Sequence, residues 1–203
     1  MNYLKLCEIL GKYLPAVAVK PIADCVVENK VFLKICRPRA SKLGDYRSPA
    51  FYGKHTITIN NDLNQYAFAI TLLHELSHML CYNQHQHKVK PHGAEWKKCF
   101  VNLSKPIMDA KAFPNDIHRA LSNYFQNPAA STCADPHLLK VLNKYDKEPS
   151  ALVDDVAIGT LFELENGRVF KKGEKRRTRY LCTCQQTNRM YLVSGVAKIK
   201  NLP

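Results

Sequence analysis

The chain has no apolar run near the roughly 20 residues that a membrane-crossing helix needs. It also lacks the pattern of an export signal. Met1 to Leu14 carries Lys5, Glu8 and Lys12 inside its apolar spacing, which reads as an amphipathic helix. A cytoplasmic protein with no membrane partner is the expectation. No internal repeat or low-complexity segment is present, which excludes solenoids and fibrous arrays. Acidic residues are few: 17 Asp and Glu face 30 Lys and Arg, for a net charge of +13. Such an excess favours contact with nucleic acid or another polyanion and says nothing about fold. Closely spaced cysteines are scarce too. Of the cysteines at positions 7, 25, 36, 81, 99, 133, 182 and 184, only the last two are near neighbours. In a reducing compartment these read as buried or idle thiols.

What is present is ordinary globular patterning. Tyr3, Leu6, Cys7, Leu10, Tyr13 and Leu14 recur at helical spacing over residues 2–14, until Pro15 interrupts. A second, weaker helical segment spans Ala16 to Glu28, with Pro21 inside it. Val31–Cys36 reads as a strand, Arg37–Tyr52 as a loop or an irregular strand pair, and His55–Asn60 as an alternating β-branched strand. Asn60, Asn61 and Asp62 offer N-caps for a long helix from Leu63 to Cys81. That helix is apolar on most of its circumference and is therefore the core helix. A polar loop follows over residues 82–92, then helices near Glu95–Leu103, Ile117–Phe125 and His137–Tyr145, punctuated by Pro106, Pro114 and Pro128.

Inside the core helix lies H-E-x-x-H, from His74 to His78. Residues four apart share a helical face, so both imidazoles can reach one metal ion, with Glu75 beside the first. A catalytic zinc usually takes three protein ligands and a water, so the motif supplies two ligands and a base. Two His and a Glu in a buried helix need a physical reason, since unpaired polar groups there are costly, and a metal supplies one. His85, His87 and His92 follow as candidate third ligands. His85 and His87 sit in a Lys- and Gln-rich stretch that suits solvated imidazoles. His92 lies between Pro91, which stiffens its entry, and Gly93, which permits a sharp turn, so His92 is preferred. Glu95 competes as a carboxylate ligand. The bland alternatives are histidines satisfied by hydrogen bonds and a metal site without catalysis. The constellation fits metal-assisted hydrolysis, with Glu75 as general base. A second oxyanion donor would come from Tyr82, His85, His87 or the Arg and Tyr residues of the 37–52 segment.

The runs I-T-I-N-N-D-L-N-x-Y, T-L-L-H-E-L-S-H and P-H-G-A-E-W-K, with S-K-L-G-D-Y-R before them, resemble the SprT-like family of zinc metallopeptidases, which includes the Spartan proteases. The resemblance is strong over residues 38–104. It implies a zincin-like α+β domain, one catalytic zinc ion held by His74, His78 and His92, and Glu75 as the catalytic residue. It also implies substrates that are proteins bound or crosslinked to DNA, with cleavage switched on by DNA.

The chain departs from that pattern at its end. Many SprT-like proteins carry a zinc ribbon with two cysteine pairs, and no cysteine follows Cys184 here. A second, structural zinc is therefore not expected. The division expected is a metallopeptidase domain over 1–146, a linker over 147–155 and a basic β module over 156–203 resembling a degenerate zinc ribbon. The turn E-N-G-R marks a hairpin between Gly159–Leu164 and the strand from Val169, and further strands follow at Thr178, Arg189 and Val196. Arg168, Lys171, Lys172, Lys175, Arg176, Arg177 and Arg179 cluster around this hairpin and could neutralise several phosphates of DNA. Tyr180 and Tyr191 could offer stacking faces, although core packing is the more ordinary role for both.

Overall fold

A computed structural model describes residues 2–39, 41–126 and 135–201. Pro128 and Cys133 fall outside the described residues. The chain divides into two units, Met1–Asp146 and Lys147–Pro203.

The first unit opens with helices α1 (Tyr3–Leu10) and α2 (Ala16–Glu28). Helix α2 runs through Pro21 although the ring removes one backbone donor; its buried face of Ala18, Ile22, Ala23 and Val26 holds it in place. Strands β1 (Phe32–Cys36), β2 (Gly44–Arg47) and β3 (Thr56–Asn60) make a sheet in the order β1-β3-β2. β1 lies parallel to β3, and β2 lies antiparallel to it. The segment expected as a loop or irregular strand pair thus holds an edge strand, β2, and a short helix α3 (Pro49–Tyr52).

Helix α4 (Gln65–His85) is the centre of this unit, and every residue from Ala67 to Ser77 is buried. Its cap is Asn64, whose side-chain oxygen accepts from the N–H groups of Tyr66 and Ala67. The cap expected at Asn60 to Asp62 is corrected accordingly. Asn60 ends β3, and its amide donates to the carbonyls of Arg39 and Lys42, so it closes the preceding segment. The Asn64 amide donates in turn to Leu142 O and Asp146 Oδ1, which ties the start of α4 to residues 142–146. α4 also runs one turn past the expected stop at Cys81.

Helix α5 (Ala94–Asp109) packs along α4 and continues through Pro106, where a break was expected, because Ile107 and Met108 still bury beyond it. Helices α6 (Asn115–Gln126) and α7 (Pro136–Asn143) complete the unit. Among the described residues, no helix is long and apolar enough to cross a membrane.

The second unit is all antiparallel: β4 (Leu161–Leu164), β5 (Val169–Lys171), β6 (Lys175–Arg176), β7 (Arg179–Cys184), β8 (Met190–Ser194) and β9 (Ile199–Asn201). The sheet runs β9-β4-β5-β7. β6 continues beyond β5 along one edge of β7, and β8 takes the other edge. Gly167 of the Asn-Gly turn adopts φ +77°, a conformation that glycine reaches without strain. Val153, Phe162, Phe170, Tyr180, Cys182, Cys184, Val193 and Ile199 form its core. Val153 belongs to a 3-10 turn (Val153–Asp155), and Leu152 bridges Lys198. Residues 152–155, expected as linker, are therefore built into this unit. With mixed helices and sheets, the architecture is α+β.

Candidate metal centre

His74 and His78 stand one turn apart on α4, and His92 reaches them from the turn before α5. The Nε2 atoms of His78 and His92 lie 3.2 and 3.3 Å from Nε2 of His74. Among the described residues these three form the group of His, Cys, Asp or Glu that could hold a metal ion. Three neutral imidazoles carry one ring proton each, so their converging nitrogens cannot all satisfy one another. His74 Nδ1 is buried without a partner as well. Three imidazole nitrogens converging at a site where His74 is buried and His78 and His92 are half-buried suit zinc, whose usual ligands are N and S donors, and the residues present fit such an ion.

The turn at His92 differs in detail from the sequence expectation. His92 itself takes the left-handed conformation, φ +57°, while Gly93 is extended. A side chain prefers to avoid that region, at a cost of order 1 kcal/mol, so the packing around His92 holds it there. Gly93 serves by close approach: a Cβ there would stand 2.9 Å from Lys90 O. Trp96, one turn into α5 and 1% exposed, packs against all three imidazoles, with ring centroids 4.6, 5.2 and 4.7 Å from His74, His78 and His92. Phe100 stacks behind it at 5.3 Å.

Burial lowers the His74 and His78 imidazoles to about 3, with His92 acting in the same direction on both and His78 on His74, and burial lowers His92 as well. All three histidines are thus held neutral, the form that binds a metal. Glu75 behaves oppositely. Burial pushes its carboxyl up to about 8, helped by the Asp45 charge and opposed by the Tyr46 backbone N–H, Arg39 and Lys42.

Strand β2 forms the wall on the Glu75 side. A Cβ on Gly44 would meet Glu75 Oε1 and Cγ at 2.9 Å and Thr71 Cγ2 at 2.8 Å, so only glycine lets the strand approach this closely. Tyr46, two residues on, lies parallel to the His78 ring with centroids 6.4 Å apart, and its hydroxyl is 2.9 Å from His55 Nδ1. Gly44 and His55 were not singled out from the sequence, and Tyr46 only as one of the Arg and Tyr residues of the 37–52 segment that could donate to an oxyanion. Their signal is weak, a glycine and a tyrosine in a four-residue strand.

A cavity of about 220 Å³ opens beside His78 and His92, lined by Tyr46, Tyr82, His87 and Trp96 among others. Of the candidate oxyanion donors, Tyr46, Tyr82 and His87 border it. His85 lines a separate cavity with Glu95, so neither joins the histidine cluster. Arg39 is bound to Asn60 and Thr58, and Arg47 to Asp45.

The basic cluster of the second unit divides. Lys171, Arg176, Arg177 and Arg179 are exposed. Lys172 is 4% exposed, and its Nζ donates to the carbonyls of Val153 and Val156 and lies over the Tyr180 ring. Its assignment as a nucleic-acid contact is corrected: a buried ammonium tied to two carbonyls cannot meet a phosphate. Lys175 faces Asp154 at 3.8 Å, and Arg168 lies over the Tyr191 and Phe170 rings. Tyr180 is a core residue whose hydroxyl donates to Asp154. Cys182 and Cys184 are buried in the core of this unit.

Compared with known families, residues 27–118 match the model of the SprT-like family. SprT-like domains are associated with zinc metallopeptidase-like proteins. Neither the curated proteins nor the solved structures gave a match.

Proposed function

Taking the SprT-like match over residues 27–118 as premise, we propose that the chain is a zinc-dependent metallopeptidase with a zincin-like catalytic domain. His74, His78 and His92 hold the ion and Glu75 acts as general base. The observation that carries this reading is the convergence of the His78 and His92 Nε2 atoms to 3.2 and 3.3 Å from Nε2 of His74, on the helix that also presents Glu75.

When bound, the ion supplies a Lewis acid and brings the pKa of a water to near neutrality. The chain supplies the rest. Glu75 is fixed by Gly44 and the Tyr46 N–H, and its carboxylate removes the proton of the attacking water and returns it to the leaving amine. Its raised pKa favours holding a proton between those events, and the charge of an ion bound by the neutral histidines would draw it back toward ionisation. The Tyr46 and Tyr82 hydroxyls border the space where the carbonyl oxygen gains charge.

The substrates proposed are proteins bound or crosslinked to DNA. Support comes from the family resemblance, the net charge of +13 and the exposed cations Lys171, Arg176, Arg177 and Arg179, with Lys175 exposed as well but facing Asp154. Their contact is with phosphates, because the nearby aromatic rings are buried or covered. The competing reading is a nucleic-acid-binding protein with a structural metal site, and Glu75 separates the two, since such a site has no use for it.

The test is elemental analysis of the purified chain together with Glu75→Gln, assayed on a protein substrate with and without DNA. One zinc per chain, with hydrolysis abolished in Glu75→Gln, is expected. Retained hydrolysis in that variant would falsify the mechanism, and indifference to DNA would remove the substrate class while leaving the peptidase.

A further inference from the structure

The second unit carries an exposed sheet face that the peptidase chemistry does not use. In paired strands, residues opposite one another lie on the same face. The register links Leu161 to Lys171, Lys171 to Thr183 and Thr183 to Met190, one row crossing β4, β5, β7 and β8. The next row on the same face pairs Leu181 with Leu192, and the one beyond it joins Arg176, Arg179 and Ser194. The opposite face holds Phe162, Phe170, Tyr180 and the two core cysteines. On the outer face Met190 is 69% exposed, Leu192 53% and Leu161 38%. This is an aliphatic strip crossed by Lys171 and bordered by Arg176 and Arg179 on one side; on the other, Glu163 shares the face and is paired with Lys200 at 3.4 Å. Along it, β8 pairs only with β7 among the described strands, which leaves its other edge open.

Large aliphatic side chains on an open edge strand are an aggregation liability unless something covers them. The chemistry of the face selects what does. Sequence-tolerant binding of single-stranded nucleic acid relies on aromatic stacking platforms, and this face presents none. Tyr180 and the two phenylalanines point to the core, and the Arg168 guanidinium lies 4.2 Å from the centre of the Tyr191 ring. A second copy of the same face would set Arg176, Arg179 and Lys171 against their own kind. Aliphatic side chains flanked by carboxylates complement both the strip and its border, and an extended backbone can pair with the open edge of β8.

We propose that the outer face of β4, β5, β7 and β8 docks an acidic polypeptide segment bearing aliphatic side chains, which adds to the sheet along β8. This does not depend on the peptidase reading, because the test measures binding alone.

The probe is a short fluorescein-labelled peptide of alternating leucine and glutamate, titrated with the full-length Glu75→Gln protein and followed by anisotropy. The controls are the leucine–lysine counterpart and a single-stranded oligonucleotide. The acidic peptide is expected to bind more tightly than the basic one and to weaken as salt rises. The double variant Met190→Thr/Leu192→Thr keeps strand propensity and charge, and should weaken peptide binding by roughly tenfold or more while leaving oligonucleotide binding unchanged. Equal binding of the acidic and basic peptides, or of the acidic peptide to both proteins, overturns the proposal. So does a loss of oligonucleotide affinity in the double variant, which would give the face to nucleic acid.

Discussion

Gly44 and Glu75 touch across the gap between β2 and α4: a Cβ on the glycine would stand 2.9 Å from the carboxylate oxygen Oε1. The missing side chain on the edge strand therefore sets where the proposed general base sits. Gly44→Ala would drive the Glu75 carboxylate and the Thr71 methyl aside, because the backbones of both elements are packed. The expected outcome is a loss of hydrolysis of about tenfold or more at unchanged metal stoichiometry, with folding weakened by about 1–3 kcal/mol. Steady-state assay and elemental analysis of the same preparation check it. Full activity in the alanine variant would remove β2 from the positioning of Glu75.

Trp96 is the platform on which three imidazoles rest, and it is the only tryptophan in the sequence. Ligands oriented by packing lose metal affinity when that packing is cut away, typically 10–100-fold for outer-shell partners. Trp96→Ala should weaken zinc binding by about that factor, and Trp96→Phe should recover part of it by keeping an aromatic face. Competition with a chromophoric chelator measures both. In the unaltered protein, adding Co²⁺ should change the tryptophan fluorescence, because the emitting ring lies against the ligands. An unchanged spectrum on stoichiometric Co²⁺ binding would place the metal elsewhere.

Metal-free Glu75→Gln protein should lose stability in mild acid; in the unaltered chain the raised Glu75 carboxyl opposes this, because its contribution is lost as pH rises toward about 8. Burial holds His74 and His78 at about 3, below the usual value of about 6.5, so the folded state resists taking up protons that the unfolded state accepts. Their contribution is then fully present above pH ~6.5 and falls as pH drops from there toward about 3, with a slope of order 1 kcal/mol per pH unit for each histidine. Denaturant midpoints of metal-stripped Glu75→Gln protein at about pH 7.5 and about pH 5.5 check the sign. Equal midpoints in that variant would mean that the histidines are not desolvated as the structure has them.

The centre of the site was legible because H-E-x-x-H has a register that only a helix satisfies, and the apolar residues around it left no solvent-facing side. His92 was separable from His85 and His87 by its Pro-His-Gly setting, although the strained residue is the histidine itself. β2 was not legible as the wall of the site. Its four residues lie among prolines and charges, and Gly44 is required by contact with a helix turn far along the chain. The cap went to Asn64 because Asn60 was already bound to Arg39 and Lys42, a competition between two polar partners that no local rule weighs. Lys172 looked like one more member of a solvated basic run. Its burial depends on carbonyls at Val153 and Val156, 19 and 16 residues earlier.

That lysine gives a stability test that separates a structural ammonium from a ligand-binding one. Lys172→Met keeps much of the side-chain bulk but leaves the carbonyls of Val153 and Val156 without their donor inside the second unit. Stranding buried acceptors costs about 1–3 kcal/mol each, whereas the neighbouring exposed Lys171→Met should stay within about 0.5 kcal/mol. Hydrogen exchange of the β7 amides, Tyr180 and Cys182 among them, reads this unit within the full chain. Faster exchange is expected in Lys172→Met and not in Lys171→Met. On DNA the order should reverse. Lys171→Met lowers affinity and flattens its salt dependence by about one phosphate, while folded Lys172→Met protein binds as before. If Lys172→Met instead weakened DNA binding without loosening β7, the buried placement of its ammonium would be wrong.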